Sequence, residues 1–318
     1  MLPNDKIFLA GHTGLVGSAI LRTLKLKGYK NLVVRSHKQL DLVNQESVSD
    51  FFESEKPDLV ILAAAKVGGI YANNIFPADF IYQNIMIQTN VIHASFKNNV
   101  NKLLFLGSSC IYPKLSNQPI SEDSLLTGLL EPTNEPYAIA KISGIKLCES
   151  FNRQFNTDFR SIMPTNLYGI NDNFHPENSH VIPALIGRFH RAKIDNLPKV
   201  EIWGDGTAKR EFMFADDLAD ALIHLLKMDK DTYESEIKPN QSHINVGTGC
   251  DVSIDELSRI IKKVVGYQGK ICFDITKPNG APQKLLDTKK INNLGWRSKV
   301  DLFEGLNRTY EWYEREFK

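Results

Sequence analysis

Through the first half of the chain, short apolar runs alternate with stretches whose apolar residues recur at helical spacing. Lys6 to Ala10 precedes Leu15 to Lys27, Leu32 to Val34 precedes Glu46 to Glu55, and Leu59 to Ala63 precedes Ala78 to Asn98. Lys102 to Leu106 then precedes Tyr137 to Phe155, and Phe159 to Met163 follows. Strands that alternate with helices must run parallel, because each helix carries the chain back across a face of the sheet. The expectation is an α/β fold built on a doubly wound parallel sheet. After Asn166 the rhythm breaks into Asn, Pro and His-rich loops from Tyr168 to Asn178. A helix near Pro183 to Ala192 and a strand around Val200 to Trp203 come next, then further αβ pieces. This predicts a smaller second α/β lobe. Ile244 to Val246, between helices near Asp216 to Met228 and Ile254 to Val265, is expected to return to the first sheet. The predicted division is therefore 1–168 with a returning segment near 212–248, and 169–211 with 249–318.

Charge narrows the partners. Thirty-eight Lys and Arg face 37 acids for a net +1, with no long block of one sign to draw the chain to nucleic acid or an anionic membrane. The longest purely apolar stretch, Leu59 to Ala65, is far short of the roughly 20 residues a membrane span needs, and Met1 to Asp5 has no signal-peptide layout. A cytoplasmic protein is expected. Cys110, Cys148, Cys250 and Cys272 include no C-x-x-C pair, so neither a disulfide framework nor a metal site is expected.

Gly11, Gly14 and Gly17 lie between the first strand and first helix, spaced G-x-x-G-x-x-G. Gly11 suits a tight turn, Gly14 lets the backbone approach a pyrophosphate, and Gly17 lets the helix close on its strand. NAD sites usually place an acid about 20 residues further on, to hold the ribose hydroxyls. Here the second strand ends in Arg35-Ser36-His37-Lys38, which suits a 2′-phosphate and favours NADP; the alternative is a solvated basic turn.

Tyr137 and Lys141 stand four apart, on one face of a helix. A nearby cation favours a phenolate, so the pair is expected to exchange a proton with a carbonyl oxygen as hydride moves. Ser108, in Gly107-Ser108-Ser109-Cys110-Ile111-Tyr112-Pro113, ends the fourth strand. The C-terminal ends of parallel strands converge on the ligand crevice, so the glycine loop, the hydroxyl and the tyrosine are expected at one edge of the sheet. Cys110 is two residues past Ser108, at that crevice, whereas Cys148, Cys250 and Cys272 read as inert packing.

These residues resemble the extended short-chain dehydrogenase/reductases that act on nucleotide sugars. Longer strings strengthen the likeness: Ala64-Ala65-Lys66-Val67-Gly68-Gly69, Asn134-Glu135-Pro136-Tyr137, Pro164-Thr165-Asn166-Leu167-Tyr168-Gly169 and Asn178-Ser179-His180-Val181-Ile182-Pro183. The resemblance implies a Rossmann cofactor lobe, a sugar-nucleotide lobe, a homodimer and NADP(H). It implies cofactor contacts at Gly11, Thr13, Gly14, Leu15, Val16, Gly17, Arg35, His37, Lys38, Asp41 and Leu42. Leu106, Gly107, Ser108, Lys141, Pro164, Asn166, Leu167 and His180 complete that set. Thr13 stands where members of the family carry an arginine.

The strings narrow the resemblance to members that epimerise GDP-4-keto-6-deoxy-D-mannose at C3 and C5 and then reduce its C4 ketone. Protons beside a ketone are acidic, and an epimerase must remove one on one face and return one on the other. A thiol of reference pKa about 8.5 and an imidazole of about 6.5 suit that task. By this resemblance Cys110 is the base and His180 the acid, with His175 as a rival imidazole; Ser108 and Tyr137 hold the C4 oxygen. For GDP the resemblance implies contacts at Arg188, Trp203, Arg210 and Asn279, the last where the family carries an acid. Lys284 is a further phosphate candidate. Other readings are weaker on the residues. A sugar-nucleotide dehydratase resembles Thr-Asp-Glu where Ser108-Ser109-Cys110 stand. A simple 4-epimerase needs no thiol and imidazole pair, and a non-catalytic NADP sensor would lack Tyr137 or Lys141.

Overall fold

The computed structural model describes residues 1–175, 179–277 and 279–317. In chain order the first part holds β1 (Ile7–Ala10), α1 (Leu15–Leu26), β2 (Leu32–Val33), α2 (Gln45–Glu55), β3 (Leu59–Leu62), α3 (Ile70–Ile75) and α4 (Pro77–Lys97). It continues through β4 (Lys102–Leu106), α5 (Glu135–Phe155), β5 (Phe159–Pro164), β6 (Asn166–Tyr168), α6 (Val181–Ile194) and β7 (Lys199–Trp203). Then come β8 (Lys209–Phe214), α7 (Ala215–Lys227), α8 (Lys230–Glu234), β9 (His243–Val246), β10 (Asp251–Ser253) and α9 (Ile254–Val265). The chain finishes with β11 (Lys270–Asp274), β12 (Gln283–Lys284), α10 (Lys289–Asn293) and α11 (Leu302–Glu316).

The main sheet is six-stranded, in the order β2-β1-β3-β4-β5-β9, and each of its pairs is parallel. β1, β3 and β5 are buried along their whole length, which explains why β1 and β3 read as unbroken apolar runs rather than alternating ones; β5 carries Arg160 and Ser161 buried within it. One face packs on α1 and α7 and the other on α2, α4 and α5, giving two cores. β9 joins the sheet beside β5, Ser161 opposite His243, as expected for a returning segment. Strand order reverses between β1 and β3, so the crevice opens over their C-terminal ends, where the glycine loop begins.

A third core gathers Tyr168, α6, β7, β8, α9 and α11. Here β8 pairs with β6, β10 and β12, while β7 and β11 form a separate parallel pair. β8 escapes pattern reading because it opens Lys209-Arg210-Glu211, a polar triplet of which Glu211 is nonetheless fully buried. No helix among the described residues is long and apolar enough to cross a membrane.

Candidate active site

Gly11 has φ +89, and a Cβ there would meet the backbone nitrogen of Ala64 at 2.7 Å. A Cβ on Gly17 would stand 1.9 Å from the Gly11 carbonyl oxygen, so both glycines are required for α1 to close on β1. Gly14 caps α1 without a side-chain hydrogen bond, leaving the first-turn N–H groups of Leu15 and Val16 open to an anion. Thr13 is exposed, and its carbonyl accepts from the Asn171 side chain at 2.8 Å, tying the second lobe's loop to the glycine loop. This cradle fits the pyrophosphate of a nicotinamide dinucleotide.

The basic turn is less free than its sequence suggests. Arg35 donates to Glu55 at 2.5 Å and to the Val34 carbonyl at 2.9 Å, and its guanidinium lies 5.5 Å from the Phe51 ring centroid. His37 and Lys38 are exposed, with His37 3.7 Å from Asp41. The Leu42 carbonyl accepts from Asn90 of α4 at 2.9 Å.

Ser108, Cys110, Tyr137 and Lys141 come together past the end of β4. Ser108 caps the short turn Ser109–Ile111, its hydroxyl accepting from the Cys110 N–H at 3.4 Å, and it acts to lower the pKa of both the Tyr137 phenol and the Cys110 thiol. Lys141 is 3 % exposed and donates to the Leu106 carbonyl at 2.7 Å, its ammonium 5.8 Å from the Tyr137 ring centroid. Burial lowers the Lys141 pKa to about 8. The phenolate expected from the sequence is not favoured: burial first, and then the neighbouring thiol's charge, push the Tyr137 pKa up. Tyr137 is thus held as a phenol, the form that donates a proton. The ring of Phe80 meets Tyr137 edge-on at 6.3 Å, a wall that sequence reasoning missed because Phe80 lies in another helix, α4.

Cys110 is 8 % exposed, yet it faces charge: burial raises its pKa, and Lys284, the Ser108 hydrogen bond and Lys141 oppose that rise. Cys148 is buried as expected, but Cys250 is exposed and Cys272 half-buried, so neither is core packing; Cys250 immediately precedes β10 and Cys272 lies in β11. His180 caps α6 and is exposed, and partial burial by its surroundings lowers its pKa. Asn178 lies outside the described residues. His175 is exposed, and its carbonyl accepts from the Ser179 backbone at 3.2 Å. Gly107 donates its backbone N–H to Ile162 at 2.9 Å, and the Asn166 side chain donates to the Glu211 carbonyl at 2.8 Å. Pro164 ends β5 and Leu167 sits in β6.

At the nucleotide end, Arg188 of α6 lies 5.5 Å from the ring centroid of Trp203, which is 58 % exposed. Lys277 lies 5.6 Å from the same ring, a cation that no pattern in the sequence singled out. Arg210 of β8 is opposite Lys284 of β12. Asn279 accepts from the Asp205 backbone at 2.8 Å, so its carbonyl oxygen ties two loops together. Lys284 is paired with Arg210 across the two strands, and its charge acts on Cys110 as well as on Arg210.

The model of the NAD dependent epimerase/dehydratase family matches residues 7–247. The chain is 58% identical to a GDP-L-fucose synthase of Escherichia coli (strain K12) over 312 residues, 98% of this chain and 97% of that one. It is 57% identical to GDP-L-fucose synthase 1 of Arabidopsis thaliana, over 97% of this chain and 93% of that one. A solved GDP-mannoheptose C4 reductase from Campylobacter jejuni, with NADP bound, superposes with a TM-score of 0.90 at 41% identity, covering 99% of both chains. With a parallel sheet, a glycine cradle at its switch point and a Ser, Tyr and Lys cluster beside it, the chain belongs to the NAD dependent epimerase/dehydratase family, the extended short-chain dehydrogenase/reductases.

Proposed function

We propose that the protein converts GDP-4-keto-6-deoxy-D-mannose to GDP-L-fucose, by epimerisation at C3 and C5 and reduction at C4. The observation that carries this reading is the polar cluster past β4, in which Ser108 accepts from the Cys110 N–H at 3.4 Å and acts on both the Cys110 thiol and the proton donor Tyr137, with buried Lys141 held at the strand's end. A hydroxyl and a phenol aimed at one spot suit the C4 carbonyl oxygen, and a thiol beside them suits the proton on the next carbon.

In this mechanism the Cys110 thiolate takes the proton from C3 or C5, and the electron pair moves onto the C4 oxygen, which Ser108 and Tyr137 hold. Protonated His180 returns a proton to the other face of that carbon. The S–H and the neutral imidazole then reset by exchange with solvent. Bound NADPH supplies the hydride that reduces C4. Tyr137 gives its proton to the C4 oxygen, and the Lys141 ammonium favours the phenolate left behind. The glycine cradle and the exposed His37 and Lys38 hold the dinucleotide and its 2′-phosphate, with Arg35 anchored on Glu55 beside them. Arg188, Trp203, Lys277 and Arg210 hold GDP.

We assign a cofactor lobe of 1–168 with 212–248 and a substrate lobe of 169–211 with 249–318; the third core built on α6, β7, α9 and α11 supports it, while Ile291, Leu294 and Trp296 pack into the core of the main sheet. A homodimer through α4 and α5, which pack on one another and leave Tyr82, Ile139 and Phe155 exposed, completes the reading, as does a cytoplasmic location.

The test separates proton exchange from hydride transfer. In heavy water without reduced cofactor, the enzyme should wash deuterium into C3 and C5 of the keto sugar nucleotide, and Cys110→Ala should lose that exchange by at least a hundredfold. Tyr137→Phe should chiefly slow NADPH oxidation. The likeness to a C4 reductase, together with a thiol whose pKa burial raises, favours one second reading, reduction without epimerisation. NADPH oxidation with no deuterium at either carbon would establish it.

A further inference from the structure

Glu211 follows Arg210 on β8 and is fully buried, and among the described residues it forms no salt bridge. Both of its carboxylate oxygens are nevertheless engaged. Oε1 accepts from the Gly249 N–H at 2.8 Å and from the Thr248 hydroxyl at 3.4 Å, and Oε2 accepts from the Leu286 N–H at 3.0 Å. Its backbone carbonyl accepts from Asn166 at 2.8 Å and Thr165 at 3.2 Å, at the end of the cofactor-side strand. A buried carboxylate without a cation is costly, and such a group persists where its acceptors fix neighbouring backbone. Burial accordingly raises its pKa.

What Glu211 fixes is the segment that carries Lys284. Leu286 is two residues past Lys284 in one extended stretch. That stretch pairs with β8, Lys284 opposite Arg210, on one side. On the other it is held to the segment that follows Cys110: Ile120 N–H donates to the Leu285 carbonyl at 2.7 Å, and Asp287 N–H to the Ile120 carbonyl at 2.9 Å. Leu285 N–H donates to the Gln118 side chain at 2.8 Å. Lys284 is thus locked between the strand of the substrate lobe and the loop of the thiol, and of the charges acting on Cys110 its ammonium is the foremost, ahead of Lys141.

We propose that Glu211 is the positioning residue of the epimerisation base, holding Lys284 against Cys110 so that the ammonium serves the thiolate and not the GDP diphosphate. The inference rests on the function proposed above. A carboxylate is required at 211 because three donors converge on it; an amide would turn its own NH₂ toward one of them. Lysine suits the neighbouring place because a point charge with a flexible stem stabilises a thiolate without a fork geometry.

The experiment reads the thiol directly. Lys284→Met, Lys284→Arg and Glu211→Gln are alkylated with iodoacetamide across pH 6 to 10, and labelling at Cys110 is followed by peptide mass spectrometry. The pH midpoint of labelling should rise by about one unit in Lys284→Met and in Glu211→Gln. Lys284→Arg should stay near the parent. Deuterium exchange at C3 and C5 at pH 7 should fall about tenfold in the first two, with KM for the GDP keto sugar changed less than threefold. Glu211→Gln should add nothing to the midpoint shift in the Lys284→Met background. If Glu211→Gln does not fold, Glu211→Asp, which keeps the charge and shortens the reach, is judged by the same shift. A raised KM with an unmoved midpoint would make Lys284 a diphosphate ligand and overturn the proposal, as would additive shifts at 211 and 284. Because labelling needs no substrate, the two readings fail separately: a parent enzyme that never exchanges C3 or C5 sinks the function, whereas exchange with an unmoved midpoint sinks only this inference.

Discussion

Two buried titratable side chains outside the active site set opposite pH responses. Asp172 is 9 % exposed; one carboxylate oxygen accepts from the Asn173 backbone at 2.7 Å, the other is buried without a hydrogen bond, and burial raises its pKa to about 7. A carboxyl whose folded pKa lies above its unfolded value stabilises fully below the unfolded value, and that contribution is lost as pH rises through the folded one. Asp172→Asn keeps the Asn173 bond, so relative to the parent it should gain stability between pH 4 and 7, by about 2 kcal/mol at pH 8, with little gain at pH 4. His243 is the reverse case: fully buried, with neither ring nitrogen hydrogen-bonded, its pKa is lowered to about 3, by burial first. Its neutral form stabilises above the unfolded value of about 6.5, and this is lost as pH falls toward 3. His243→Leu should therefore gain on the parent as pH is lowered from 7 to 4. Urea titrations at pH 4, 6 and 8 check both, and slopes of the opposite sign would refute the assignment.

At the scale of elements, the junction of β1 and α1 has no slack. The 1.9 Å between a Cβ on Gly17 and the Gly11 carbonyl is backbone against backbone, so no side-chain rotation relieves it. Gly17→Ala should cost about 2–4 kcal/mol of stability and displace the first-turn N–H groups that face the cofactor. Thermal unfolding and NADPH titration should both register it, with affinity down at least tenfold. α5 is placed as tightly: a Cβ on Gly144 would stand 2.5 Å from the Phe105 ring, so the helix bearing Tyr137 and Lys141 rests directly on β4. That contact explains why Lys141 can reach the Leu106 carbonyl at the strand's end.

For the whole molecule, a ligand that bridges the lobes should stabilise both. NADPH at a hundredfold its Kd adds about 2.7 kcal/mol by mass action, which for a chain this long corresponds to a Tm rise of roughly 5 °C. NADH at the same concentration should give a smaller rise, and Lys38→Ala should narrow the difference; equal shifts from both cofactors would remove the 2′-phosphate from the account. Much of this architecture was legible beforehand. The apolar runs at β1, β3 and residues 103–106 of β4, their alternation with helical stretches and the glycine spacing pointed to a parallel sheet with its crevice at one end, because strands buried on both faces have little polar side to show. That Ser108, Tyr137 and Lys141 meet at one edge followed from the order of these elements together with the spacing of the tyrosine and lysine, and β9 was foreseen as a returning strand. β8 was not, since burial of Glu211 depends on donors from residues 37 to 75 positions away. Nor could spacing say that Tyr137 stays protonated, that Arg35 is paired to Glu55, or that the charge of Lys284 acts on Cys110. The sequence by itself determined which elements form and which ends converge, because local periodicity and the parallel rule are short-range constraints. Only the tertiary structure decided which charges meet and in what protonation state, because both depend on burial and on partners brought together from distant parts of the chain.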